Sequence, residues 1–494
     1  MLKTSLIEIL KTLSAEEIKK FDDFVSSPYF NKKTPVTKLW KTIKAYSPGF
    51  GSDRLDRKFI YSELFPGKEF NYGVMKNLIF ELTRLAENFL ITKSFEGNEL
   101  TRKIELLYEL QDRELIELYN SRFDNIEKNS LEMSFSRNML REDFYYRMWK
   151  LYMNNWNFDN QFMHLKDFDK NINFSSDFFL AFTMIKAFII YHNTEGQKIT
   201  HNFSRESVSI EIFLNKLHEN GIIDMVIHSM KVFSKDVSEV MNVYHKMFLS
   251  ISDKNSIEKY FDFKSSLIDK EKLFSLNDLR GLYITLSNCL GHLNSKDINK
   301  SRECLEIYDY RINNDLIITN EEQVWDQEFV RFISVACSQE KIDSIENFID
   351  KVSGRIQNNS KENLLNFAKA HICFIKKDYG KALELLALIK YDLFTMKFYV
   401  KNLQLKIFYE LNDLNSFMLA LDSYKHFLYK NKYVSEKMKI SNKKFCDFIE
   451  RLYEQKINYD EYKFSEIKKE ILEDHGKDVV WIVRKADELE NMKR

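Results

Sequence analysis

Apolar residues along this chain recur every three or four positions rather than every second one. Ile18, Phe21 and Val25 fall on one face of a helix that Ser26-Ser27-Pro28 ends. Ser14 and Glu17 have the spacing of a capping box, and Leu13 and Ile18 are placed to pack as its hydrophobic staple. Asn71 predicts the start of a long helix carrying Met75, Leu78, Ile79, Leu82, Leu85 and Phe89 on one face. Loops at Pro35, Pro48-Gly49 and Pro66-Gly67 divide the intervening residues into short helices. Residues 1–96 therefore read as an N-terminal helical cap.

Residues 97–270 carry long helical patterns. Leu106, Leu107, Leu110, Leu115 and Leu118 mark one predicted stripe. A second comprises Met139, Leu140, Phe144, Tyr145, Met148, Leu151, Tyr152 and Trp156. The best alternating segment, Ser207-Val-Ser-Ile-Glu-Ile, is expected to lead into a helix with Phe213, Leu214 and Leu217 rather than to form a strand. Gly221 is expected to stop that helix.

Residues 271–494 contain an internal repeat. Its best copy runs from Ala368 to Leu386, with Ala370 and Ala382 at the small positions of two helices and Asp378-Tyr379 at the turn. Two antiparallel helices approach to about 8–10 Å only where a contact residue is small. Related turns occur at Asn412-Asp413-Leu414, Lys341-Ile342-Asp343 and Asp297-Ile298. The equivalent positions Cys304, Ile345, Ala382 and Phe417 are separated by 41, 37 and 35 residues. This segment resembles the core of a tetratricopeptide repeat, which implies an α-solenoid, although the usual terminal proline of each repeat is missing. At the other end, Leu13-Ser14-x-x-Glu17-x-x-x-Phe21-x-x-Phe24-x-x-Ser27-Pro28-Tyr29-Phe30-Asn31, with Leu64-Phe65-Pro66-Gly67, resembles the opening of an uncharacterised group of bacterial helical-repeat proteins. That resemblance implies lineage and no activity.

Composition sharpens this picture. All four prolines lie within the first 66 of 494 residues, so nothing of that kind interrupts the helices that follow. The expected fold is all-α, an N-terminal cap followed by stacked antiparallel hairpins. Lys+Arg and Asp+Glu balance at 74 each, which removes any whole-protein basic field for nucleic acid or membrane. Five widely spaced cysteines read as reduced thiols, and the polar N-terminus, with Glu8 inside its amphipathic stretch, does not read as a signal peptide. No membrane-spanning helix is expected, because Lys186 breaks the densest apolar run at Phe178–Ile185. These features predict a cytoplasmic protein.

Motifs for chemistry are missing. The twelve glycines form neither G-x-x-x-x-G-K nor G-x-G-x-x-G, and no G-x-S-x-G, paired-cysteine or H-E-x-x-H pattern occurs. No cofactor, metal or catalytic residue is expected. Asp460, Glu466 and Lys468 fit a metal-nuclease spacing but fall in a predicted helix. The strongest charged feature is residues 425–444, where Lys425, Lys430, Lys432, Lys437, Lys439, Lys443 and Lys444 face the single acid Glu436, with Tyr429 and Tyr433 among them. Lysines on phosphates and aromatics on bases would suit nucleic acid. A helical hairpin, one helix ending near Lys430 and another beginning near Ser435, accounts for the same residues. The leading expectation is a non-enzymatic scaffold holding a protein or peptide on its concave surface. A nucleic-acid-binding regulator using this patch or the N-terminal cap is the alternative.

Overall fold

The computed structural model describes residues 4–51, 55–134, 139–163, 168–200, 208–295, 297–319, 322–390, 396–431, 434–473 and 479–493. Among them are twenty-four α-helices, two short 3₁₀ turns and no β-strand. The chain divides into two compact units, residues 1–129 and 130–494.

The first unit contains α1 (Ser5–Thr12), α2 (Ala15–Ser26), α3 (Thr34–Lys44), α4 (Arg57–Leu64), α5 (Tyr72–Glu96), α6 (Glu99–Asp112) and most of α7 (Ile116–Ser134). The capping box forms as the spacing predicts: Ser14 N–H donates to Glu17 Oε2 at 2.6 Å and Glu17 N–H to Ser14 Oγ at 3.2 Å. Leu13 and Ile18 join one core with Phe21, Trp40, Ile43, Met75, Leu82 and Phe89. Phe21 meets the Trp40 ring edge-on at 4.7 Å, and its burial alone contributes roughly 1.5–3 kcal/mol. Asn71 caps α5 by accepting from Val74 N–H at 3.0 Å, and α5 packs against α1, α2, α3 and α6.

The stripe expected between Leu106 and Leu118 needs correction. A turn separates α6 from α7 there, with Glu114 in the left-handed region at φ 58°. Leu107 and Leu110 of the stripe are buried, together with Leu100 and Ile104, whereas Leu106, Leu115 and Leu118 are exposed. Turning the chain resets the phase of the apolar face.

The second unit begins with α8 (Arg141–Phe162), α9 (Phe168–Thr200), α10 (Val208–Glu219), α11 (Ile222–Phe233), α12 (Lys235–Ser252) and α13 (Ile257–Asp269). It continues through α14 (Leu276–His292), α15 (Lys300–Asn313), α16 (Asp326–Ser338), α17 (Ile342–Val352), α18 (Lys361–Ile375) and α19 (Tyr379–Ala387). The last helices are α20 (Met396–Leu411), α21 (Leu414–Lys430), α22 (Glu436–Ile457), α23 (Glu461–Glu473) and α24 (Val479–Lys493). Residues 208–212 of the best alternating segment are helical, while Ser207 lies outside the described residues. Gly221, at φ 67°, separates α10 from α11 as expected. Leu214 is buried but Phe213 is exposed. In α8, Phe144, Tyr145, Met148, Leu151 and Tyr152 are buried, with Trp156 partly so.

One helix departs from the expectation on membranes. Residues Phe168–Gly196 of α9 are long and apolar enough to cross a bilayer, with mean hydropathy 1.4. This helix packs against α8, α10, α11 and α12. Ala181, Ile185 and Phe188 are buried there, and its apolar length serves that packing.

The hairpins α16–α17, α18–α19 and α20–α21 repeat one turn. In each, a residue in the left-handed region follows the first helix: Glu340 at φ 54°, Lys377 at 62° and Asn412 at 57°. Each donates three residues back, to Cys337, Phe374 and Tyr409, and the next residue donates five back, to Ala336, Cys373 and Phe408. This pairing closes the orphan carbonyls at a helix end in the Schellman manner. Ile345, Ala382 and Phe417 then stand at the same position of each second helix, all fully buried. The Asp297-Ile298 turn does not follow this pattern; Asn299 caps α15 there, accepting from Arg302 N–H at 3.1 Å. Successive first helices pack on one another, α16 on α18 and α18 on α20.

Candidate functional site

The lysine-rich segment folds as the hairpin. α21 ends at Lys430, and Ser435 caps α22 by accepting from Met438 N–H at 3.1 Å. Lys425 pairs with Glu450 at 2.6 Å. Lys439 is buried and pairs with Glu436 at 2.7 Å, one turn before it. Phe427 is half-buried against Phe398, with ring centroids 5.2 Å apart. Tyr429, Lys430, Lys443 and Lys444 are exposed, whereas Lys432 and Tyr433 lie outside the described residues. The described lysines thus serve several different surroundings, two of them as partners of carboxylates.

Lys437 has a different setting. It stands in the first turn of α22, which packs against α9, close enough to Lys254 and Glu195 for their charges to act on it. The residue is exposed overall, but partial burial, then the Lys254 ammonium, hold its own ammonium below the usual lysine range. Glu195 takes hydrogen bonds from Lys198 at 2.7 Å and Lys254 at 3.3 Å. Burial works against its charge, but those two cations outweigh it and keep its carboxyl below the usual range.

The neighbouring end of α14 completes a polar seam. Burial, reinforced by the Lys437, Lys254 and Arg331 charges, pushes the His292 imidazole down to about 4. Arg331 on α16 reaches back to α14, donating to Asn288 Oδ1 at 2.8 Å and the Ser287 carbonyl at 3.2 Å. On α9, His192 Nδ1 lies 3.5 Å from Thr285 Oγ1, and burial pushes its imidazole down to about 4 as well. At neutral pH the seam offers ammonium and guanidinium groups beside neutral imidazoles. Such groups hold polar or anionic parts of a ligand by point charge and hydrogen bond.

Sequence reasoning singled out Lys437 and missed its companions. Glu195, Lys254, His292 and Arg331 are scattered over the chain, and no spacing links them; stacking of distant helices brings them together. Among the described residues, no group of three histidine, cysteine or carboxylate side chains is placed to hold a metal ion. None of the five cysteines is in a disulfide. Burial pushes the Cys289 and Cys446 thiols up to about 12, which leaves neither as a thiolate at neutral pH. Asp460, Glu466 and Lys468 belong to the start and body of α23, where Lys468 pairs with Asp487 at 2.6 Å and Glu490 at 2.8 Å.

Comparison with known proteins finds no matching family, no similar curated protein and no similar solved structure.

Proposed function

We propose that this chain is a non-enzymatic helical-repeat scaffold that binds a protein or peptide along the faces of its stacked hairpins. The observation that carries this reading is the recurring hairpin from α16 to α21, with one turn geometry and successive first helices packed together. Each such unit buries its apolar face only against neighbours, so an array presents a long continuous surface. Peptides and partner helices dock on surfaces of that kind. The seam at Glu195, Lys254, His292, Arg331 and Lys437 supplies polar groups that set the register of a bound segment. The tetratricopeptide-like description, the bacterial lineage implied by Ser27-Pro28-Tyr29-Phe30-Asn31 and a cytoplasmic setting belong to the same proposal. That none of the five cysteines is in a disulfide supports the last of these.

The test is affinity purification from the native host with the wild-type chain and the Lys437→Glu variant, each with and without nuclease. A stoichiometric protein that survives nuclease and is depleted by Lys437→Glu supports the scaffold. Recovery of no specific protein that survives nuclease, or of one that Lys437→Glu leaves undepleted, overturns it.

A further inference from the structure

The turn between α2 and α3 is the part of the first unit whose construction the fold alone does not explain. Asn31 pins it: the side-chain amide donates to the Val25 carbonyl at 2.9 Å and to Thr37 Oγ1 at 3.0 Å, and its Oδ1 accepts from Lys33 N–H at 2.9 Å. Phe30 stacks on Phe24 with centroids 3.9 Å apart and planes 17° apart. Tyr29 stands edge-on to Phe30 at 5.0 Å and is 85 % exposed. Ser27 and Asn31 are partly buried and Phe30 is 41 % exposed, while the Tyr29 ring stands furthest into solvent on this stacked base.

The turn and the helix that follows it carry exposed cations. Lys32 follows in the turn, and Lys38 and Lys41 lie three residues apart on the exposed side of α3, opposite Val36, Leu39, Trp40 and Ile43. Among the described residues no carboxylate pairs with Lys32, Lys38 or Lys41. Two carboxylates of the neighbouring helices are already engaged, and Asp22 also feels the Lys41 charge. Glu81 is shared by Lys33 at 2.7 Å and Arg84 at 2.9 Å. Asp22 accepts from Lys44 at 2.8 Å and from Trp40 Nε1 at 2.7 Å.

We infer that this surface binds single-stranded nucleic acid, with Tyr29 stacking on a base and Lys32, Lys38 and Lys41 neutralising the flanking phosphates. The pairing of an exposed π-face with unpaired ammonium groups is the chemistry that single strands use, and it is tolerant of sequence. Tyr29 and Phe30 are the only exposed large apolar side chains among the described residues before Phe59, and the lysines of the same turn and helix favour an anionic strand over an apolar partner. The surface lies in the first unit, outside the hairpins that carry the scaffold reading, so the two stand or fall separately.

The probe is a fluorescently labelled oligouridylate decamer titrated with the full-length chain and read by anisotropy. Binding should weaken as salt rises. Tyr29→Ala should weaken it about ten-fold, and Tyr29→Phe should retain it, because the phenyl face suffices for stacking. Lys32→Ala with Lys38→Ala should reduce the slope of log affinity against log salt by about 1.4, the single-strand value for two phosphate contacts. Melting temperature should be unchanged in Tyr29→Ala, whose side chain is exposed. An oligothymidylate arm tells which strand type is preferred, and tight binding to either supports the inference. Absence of binding, or Tyr29→Ala binding as wild type does, overturns it. So does a hexaglutamate peptide competing for the same surface regardless of the residue at 29, which would assign it to an acidic protein segment.

Discussion

The backbone N–H of Arg141 donates to the Asp278 carboxylate at 3.2 Å, tying the start of α8 to the start of α14 across 137 residues of chain. That carboxylate is also part of a capping box: Ser275 N–H donates to Oδ2 at 3.1 Å and Asp278 N–H to Ser275 Oγ at 3.1 Å, with the Ser275 hydroxyl adding a bond to Oδ2 at 2.6 Å. Tyr244 OH on α12 approaches Oδ1 at 3.3 Å. One buried acid therefore joins three helices that are remote in sequence. Burial holds its carboxyl above the usual carboxylate range even though Ser275 and Arg141 donate to it.

Replacing Asp278 with alanine strands several buried donors at once. Loss of a cap and of buried hydrogen bonds to a charged group predicts destabilisation by about 3 kcal/mol. Asp278→Asn keeps an acceptor and the volume, so roughly half that loss is expected. Urea midpoints compare the three proteins; a midpoint for Asp278→Ala equal to wild type would remove this contact from the stability of the unit.

Acid should unfold the second unit through its histidines. Burial pushes His192 and His245 down to about 4, and burial together with Lys437, Lys254 and Arg331 does the same to His292. Their ordinary value is 6.5. Because the folded pKa values are depressed below the unfolded ones, the neutral imidazoles favour the fold above pH 6.5. That stability is lost as pH falls toward 4. Near pH 5 unfolding should take up between two and three protons at these sites, readable as the slope of unfolding free energy against pH. Replacing Lys437 with methionine should raise the His292 pKa measured by NMR, since one neighbouring cation is gone. An unmoved His292 would take Lys437 out of the seam.

The repeated turns carry removable strain. Glu340, Lys377 and Asn412 each occupy the left-handed region without being glycine, and a side chain there costs roughly 1 kcal/mol relative to glycine, less for asparagine. Glycine at Lys377 should stabilise the protein by several tenths of a kcal/mol, and at Asn412 by less; at Glu340 the gain is offset by loss of the ion pair with Arg484. Valine at the same positions should destabilise it, its branched Cβ being least compatible with positive φ. Calorimetric melting of the six variants gives the ranking. A fall in melting temperature on going to glycine would mean the side chains contribute contacts beyond the turn.

The helical period, the Ser14–Glu17 box, the Asn71 cap and the turn at Asp378 were legible in the sequence because each is a local matter, decided within a few residues by hydrogen bonds and side-chain spacing. The 425–444 segment was legible as a hairpin for the same reason, while the surroundings of its lysines were not: Glu450 and Glu195 approach Lys425 and Lys437 from other helices. The stripe held at Leu107 and Leu110 but failed at Leu115 and Leu118, past the Glu114 turn, since a periodic count does not register a three-residue interruption. Asp278, His292 and Arg331 carry no local signal at all. Their burial and their partners arise when helices far apart in the chain stack, and those long-range contacts alone set which charges share a neighbourhood. Sequence determined the elements of this protein; tertiary packing decided which polar groups meet, because burial and electrostatics depend on distance in space and not on distance along the chain.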